Sequence, residues 1–284
     1  MVISDTDFVF QTDADIVRAE FEKDNYLEVY NEECADKSLC AIYFSSNDIY
    51  FPNSEDVFRK RILEKDFYEM FNTRVKTAYK HIFVRDIKKQ WYIGGINSRV
   101  NSPELLFEFL KLKTEGYSVI TIGSSAGGYA AVLYGSFLSA KRVFSFNGQF
   151  ELMSLLKTSN RHIDPLLFRN ADSPLAHYFD LRNFVNREIA IYYFSSLGSE
   201  WDYQQYIHIK DIPSVKPVLF NTSHHGVPFV KAALPVVINL ESITLDKLVG
   251  KKYNSLLFSI RLIGLRKVFW GLYQQYLQMR RNRK

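Results

Sequence analysis

Cysteine is nearly absent: Cys34 and Cys40 are the only two in 284 residues. Two cysteines cannot make a disulfide framework or a four-ligand zinc site. No histidine–carboxylate cluster has metal-ligand spacing either, so no metal is expected. Long uncharged apolar runs are missing, and Met1-Val2-Ile3-Ser4-Asp5-Thr6-Asp7 has no basic region leading into an apolar one. Neither a transmembrane helix nor a signal peptide is visible, which makes cytoplasmic residence the expectation. Internal repeats and low-complexity linkers are lacking, as are the Gly-x-x-x-x-Gly-Lys-Ser/Thr and Gly-x-Gly-x-x-Gly patterns of phosphate-binding loops. What remains is ordinary globular composition, 47% hydrophobic and 24% charged, suited to one large domain with insertions or a domain plus a small appendage. Aromatics are plentiful at 15%, a content that a buried core and a sugar-stacking surface would use equally.

The net charge of +5 is unevenly spread. From Lys251 to Lys284 there are nine Lys/Arg and no Asp/Glu, so the rest of the chain is net acidic. A basic tail on an acidic body argues against nucleic-acid binding by the body and for a local anionic partner of the tail.

The most informative stretch runs from Tyr117 to Gly135. It begins as the β-branched run Val119-Ile120-Thr121-Ile122, passes through Gly123-Ser124-Ser125-Ala126-Gly127, and leaves as a small-residue helix. Gly-x-Ser-x-Gly between a strand and a helix is the nucleophile elbow of the α/β-hydrolase fold. Glycines flank the serine because a side chain there would collide with the neighbouring strand or helix. Ser125 is thus the expected nucleophile. The Ala126 N–H, at a helix N-terminus, is the expected first oxyanion donor.

Strand and helix patterns alternate around the elbow. Strands are predicted at Phe8–Gln11, Tyr26–Tyr30, Leu39–Phe44, Lys80–Asp86 (continuing through Gln90–Asn97), Arg142–Phe146, Glu188–Phe194 and Lys216–Phe220. Helical stretches are predicted at Ala14–Lys23, Ser54–Asn72 and Ser102–Glu115, the last with Ser102 as N-cap. This order implies a mostly parallel sheet with helices on both faces. Between about 150 and 187 the pattern breaks into short pieces, as a partial lid inserted over the sheet edge would. The expected organisation is a catalytic domain over 1–250 and a basic amphipathic helical segment over 251–284.

A serine hydroxyl needs an imidazole to take its proton and a carboxylate to fix that ring's tautomer. In hydrolase folds the chain order is Ser, Asp/Glu, His, and here Ser125, Asp202 and His225 follow that order, each just past a predicted strand. Glu200 and, more distantly, Asp211 compete for the acid. His224 competes for the base, with Gly226 favouring His225 through the turn it permits. Ser46 or Asn47, after the strand Leu39–Phe44, is placed for the second oxyanion N–H. Arg85, Trp91, Tyr129 and His224 are candidate substrate contacts, although a structural ion pair is the safer reading of Arg85 and core packing explains the aromatics equally well.

With these residues in view, the chain resembles a bacterial family of polysaccharide O-acetyltransferases with the α/β-hydrolase fold. The resemblance rests on Tyr43-Phe44-Ser45-Ser46-Asn47, Val84-Arg85-Asp86 with Trp91-Tyr92-Ile93-Gly94-Gly95-Ile96-Asn97, Ile122 to Ala131, and Ser223-His224-His225-Gly226. It spans roughly residues 41–227 and leaves out the N-terminal strands, the insertion and the tail. It implies acetyl-CoA as acyl donor, no permanently bound cofactor, and a polysaccharide or lipid-linked glycan as acceptor. A serine esterase or deacetylase with the same residues is the alternative, and a catalytically silent partner in polysaccharide assembly a further one. A basic amphipathic tail can also lie on anionic lipid at the inner face of a membrane. Packing of that tail on the body is the competing expectation.

Overall fold

The structure, a computed structural model, describes residues 8–282. The expectations that fall on Met1–Asp7, and Arg283 and Lys284 of the basic tail, lie outside the described residues. Eight strands form one sheet: β1 (Tyr26–Tyr30), β2 (Leu39–Phe44), β3 (Lys80–Val84), β4 (Ser118–Ser124), β5 (Arg142–Phe146), β6 (Ile191–Ser196), β7 (Val215–Phe220) and β8 (Lys252–Tyr253). Their spatial order is β1-β3-β2-β4-β5-β6-β7-β8, with β1 antiparallel to β3 and every other pair parallel. The elbow strand β4 therefore lies inside the sheet, between β2 and β5. The chain has an α/β-hydrolase fold.

The longer helices are α1 (Pro103–Lys113), α2 (Ala126–Phe137), α3 (Glu200–Ile209), α4 (Ser255–Ile263) and α5 (Leu265–Asn282). β2 shows why its strands read as continuous apolar runs rather than alternating ones. All six of its residues are buried; Cys40, Ile42 and Phe44 join the core on the α1 and α2 side, while Leu39, Ala41 and Tyr43 join the core on the opposite face. α1 begins as its sequence dictates: Ser102 Oγ accepts from Leu105 N (3.2 Å) and Pro103 occupies the first turn. Such a cap stabilises a helix by about 1 kcal/mol.

Three predicted elements differ. Phe8–Gln11 is not a strand; residues Phe10–Asp13 form one helical turn, closed by Asp13 Oδ2 accepting from Val9 N (2.8 Å) and packed through Phe10 against Tyr50 and Phe58. Ser54–Asn72 is helical only to Glu64, α over Glu55–Phe58 and π over Arg59–Glu64. Beyond that, the tertiary bonds of Asp66 to Arg85 (2.8 Å) and Glu69 to Ser46 (2.7 Å) draw the chain into turns. Gln90–Asn97 does not extend β3, because Asp86 folds it back. Its buried carboxylate accepts from the backbone N–H groups of Lys88 (3.0 Å), Gln90 (2.5 Å) and Tyr92 (3.0 Å). Lys89, Trp91 and Tyr92 in that loop have φ of 58°, 53° and 62°, a left-handed backbone that three converging hydrogen bonds can hold in non-glycine residues. The stretch 150–187 consists of short helical pieces, as expected, including Leu155–Thr158, Pro165–Arg169 and Pro174–Phe179.

Candidate active site

Ser125 sits between β4 and α2 with φ 54° and ψ −124°, a strained conformation that turns its side chain out above the sheet. Its own N–H is fixed by Phe146 O of β5 (2.9 Å). Close packing explains the glycines around it. A Cβ on Gly127 would drive into the Phe44 carbonyl, standing 2.9 Å from the carbon and closer still to the oxygen; one on Gly128 would stand 2.7 Å from Gly148 Cα. The start of α2 is pressed against the ends of β2 and β5.

Three side chains from the carboxyl ends of different strands meet here, where ligands sit in open α/β sheets. His225 Nε2 lies 2.8 Å from Ser125 Oγ, and His225 Nδ1 lies 2.8 Å from Asp202 Oδ1. A carboxylate at Nδ1 places the ring proton there, leaving Nε2 to accept from the serine hydroxyl. Asp202 is 1% exposed and is the third residue of α3, whose N-cap Ser199 accepts the Asp202 N–H (3.3 Å). Its other oxygen, Oδ2, is buried without a partner among the described residues, so His225 is the carboxylate's one hydrogen-bonded contact there. Trp201, the preceding residue, stacks on the imidazole at 5.4 Å and 28°. The rivals fall elsewhere. Glu200 bonds Gln204 (2.8 Å), Asp211 pairs with Arg182 (3.2 Å), and His224 contributes its carbonyl rather than its ring to the arrangement.

Residues that sequence reasoning passed over hold this line in place. Asn147, just past β5, donates from Nδ2 to the carbonyls of Gly226 (2.8 Å) and His224 (3.3 Å) and to Ser196 Oγ (2.8 Å), while its Oδ1 accepts from Ser196 N (2.8 Å). Ser196 Oγ then donates to His224 O (2.6 Å). The histidine loop is thus suspended from the ends of β5 and β6. Asn147 does this at φ 44°, a region in which asparagine is more at ease than most residues. Gln149 adds a donor: Trp91 Nε1–H, which can only donate, meets Oε1 (2.9 Å), and this turns Nε2 toward Ser125 Oγ (3.3 Å). The one sequence signal for this group is the polar Asn147-Gly148-Gln149 directly after a predicted strand.

For an oxyanion, Ala126 and Asn47 each stand first in a helix, where a backbone N–H has no intrahelical partner. Ser46 corrects the expectation: its N–H donates to Glu69 Oε2 (2.7 Å) and its hydroxyl to Oε1 (3.0 Å), so it has no free donor. Arg85 is likewise no substrate contact. It is 1% exposed, bound by Glu20 (3.2 Å), Asp66 (2.8 Å) and Asn25 (2.9 Å), and capped by the Tyr68 ring. Tyr129 is fully buried, its hydroxyl donating to Tyr178 O (2.6 Å), because α2 must be anchored to the inserted segment above it. Trp91, though mostly buried, does reach the cleft wall.

Ser125 borders two cavities. One, of about 1030 Å³, is lined by Trp91, Trp201, Phe51 and Ile207 and by Leu155 and Ile163 of the inserted segment. Lys89 also lines it; burial pushes its ammonium down to about 8, and it donates to Tyr50 O and Asn53 Oδ1. The other, of about 320 Å³, is more polar and holds Glu69, His224 and Lys231. Burial, then the charges of Lys231 and His225, hold His224 below the usual imidazole range, and burial raises the Glu69 carboxyl above 4.5 against the pull of Ser46. Asn47 borders both cavities beside Ser125.

No protein-family model matches the sequence, and no curated protein does. Among solved structures, the capsule O-acetyltransferase of Neisseria meningitidis serogroup A in complex with CoA is similar at 14% identity, over 72% of this chain and 85% of that one, with a TM-score of 0.49. An inhibited esterase B from Lactobacillus rhamnosis is similar at 12% identity, over 85% of this chain and 84% of that one, with a TM-score of 0.48. A protein of unknown function from Staphylococcus aureus is similar at 10% identity, over 78% and 94%, with a TM-score of 0.46.

Proposed function

We propose that the chain is a serine acyltransferase that moves an acetyl group from acetyl-CoA to a hydroxyl of a bacterial surface polysaccharide. The observation that carries this reading is the line Ser125 Oγ–His225–Asp202, with 2.8 Å at each junction, opening onto two cavities. The line supplies the chemistry of acyl transfer. Two cavities meeting at one hydroxyl give a donor and an acceptor separate approaches, as transfer requires.

In the first half-reaction, His225 Nε2 takes the Ser125 proton as Oγ bonds to the thioester carbonyl carbon. The oxyanion is received by the N–H groups of Ala126 and Asn47. As the carbonyl re-forms, the carbon–sulfur bond breaks and the imidazolium returns its proton to the departing thiolate. In the second, a sugar hydroxyl gives its proton to His225, attacks the acetyl ester, and Ser125 leaves with that proton. Asp202 holds the ring and stabilises its cationic form in both.

Intact-protein mass spectrometry after mixing with acetyl-CoA tests the reading, with wild type gaining one acetyl group and Ser125→Ala gaining none. Absence of an adduct, with p-nitrophenyl acetate still turned over through Ser125, would point to an esterase instead.

A further inference from the structure

The last two helices carry apolar side chains on two sides. Inward, α4 packs Phe258 against Phe220 and Phe229, with ring centroids 5.0 and 5.4 Å apart, and Ser259 Oγ accepts from Val230 N (3.1 Å). α5 buries Val268 completely, and its Gly271 approaches Ala232 so closely that an added Cβ would stand 2.6 Å from the alanine methyl. Between them Gly264, at φ 81°, breaks the helical segment in two. Outward, Leu265, Phe269, Leu272 and Tyr273 recur at three- and four-residue spacing along α5 and are all exposed. Beside them stands Trp270, 63% exposed, its ring 5.9 Å from that of Tyr273. Single exposed apolar residues are ordinary, but a stripe of them on one helix face marks an interaction surface.

We propose that this face docks on an anionic membrane surface. The charge decides the occupant. The segment from Lys251 onward has nine basic residues and no acidic one; Arg266 borders the stripe, and Lys267 is exposed on the same turn. A second copy seated symmetrically, face to face, would bring two such segments together, whereas anionic headgroups neutralise them. Tryptophan and tyrosine among leucine and phenylalanine suit the headgroup boundary, where an apolar body and a polar tip are both accommodated. Among the described residues no helix is long and apolar enough to cross a membrane, so α5 lies along the surface. α5 packs on Lys231–Ala233, and Lys231 lines the smaller cavity beside Ser125. On the proposed function, on which this last step alone rests, docking brings a lipid-linked acceptor to that side of the serine.

Flotation of the full-length protein with vesicles tests the surface. Binding is expected with equal parts phosphatidylglycerol and phosphatidylcholine and not with phosphatidylcholine alone. Phe269→Ser with Trp270→Ser should abolish it, and Arg266→Gln with Lys267→Gln should weaken it roughly 25-fold, about fivefold per charge. These side chains are exposed, so circular dichroism and melting temperature should match wild type. Ser125→Ala should float as wild type does, which separates this proposal from the acyl chemistry. Failure to float, equal binding to neutral vesicles, or a dimer in sedimentation that Phe269→Ser with Trp270→Ser dissolves would each overturn it.

Discussion

Gly127→Ala is a sharp probe of the site because the added methyl has one place to go. It would enter between the first turn of α2 and the end of β2, 2.9 Å from Phe44 C, 3.0 Å from Ser45 O and nearer still to Phe44 O. Ordinary van der Waals separation requires the two segments to part by about 1 Å, and a misplacement of that size costs on the order of 100-fold in rate. These segments carry the Ala126 and Asn47 amides, so the wedge opens the oxyanion site while leaving Ser125, His225 and Asp202 chemically intact. Loss of one such donor alone costs about 100- to 1,000-fold in kcat, and kcat/KM with p-nitrophenyl acetate should fall within that range. Overpacking should also cost about 1–3 kcal/mol of stability, read as a lowered but cooperative melting transition. Gly116→Ala is the control: its φ of 79° strains an alanine locally, but nothing lies within 4 Å of its added methyl, so activity should stay at wild-type level. A Gly127→Ala protein within threefold of wild-type kcat/KM would refute the assignment of Ala126 and Asn47.

Three further outcomes are expected. Asp202→Asn should retain the fold but lower kcat by about 10³- to 10⁴-fold, through the wrong imidazole tautomer; acylation by p-nitrophenyl acetate read in stopped flow checks it. Asn147→Ala removes every bond from that side chain to the histidine loop, so kcat should fall by at least about tenfold, and labelling of Ser125 by a fluorophosphonate should slow in parallel. Glu69→Gln bears on pH. Because burial raises this carboxyl's folded pKa above its unfolded value, the stability it contributes is full below the unfolded pKa and lost as pH rises through the folded one. The variant should therefore melt higher than wild type at pH 7, with the gap closing toward pH 4, as calorimetry across that range would register.

Much of this site was written in local pattern. The elbow is legible because a β-branched run, two glycines and a small-residue helix are each demanded by the same tight turn. Asp202 and His225 are legible because polar residues directly after buried strands fall on the one edge of a parallel sheet where strand ends converge. Asn147 and Gln149 follow a strand and Ser196 ends one, but their roles depend on which strands are neighbours, and spatial order is not local information. The same blindness left Arg85 open between an ion pair and a substrate contact, and misplaced Tyr129 and Ser46. Each looked available until Glu20, Tyr178 and Glu69, distant in the chain, were seen to occupy it. Phe8–Gln11 failed for a different reason, since four apolar and β-tolerant residues do not outweigh the Asp13 carboxylate, which closes a turn on Val9 N.

The inserted segment lines the larger cavity through Leu155, Thr158 and Ile163, yet no residue between 150 and 187 bonds to the side chains of Ser125, His225 or Asp202 among the described residues. The shape of the cleft is thereby set apart from the direct bonds among the reacting groups, although the segment still anchors their helices through Tyr129–Tyr178 and Gln205–Glu151. A lineage, or an engineer, can rewrite the cavity-facing side chains of the roof to admit a different molecule, so long as those anchors are kept.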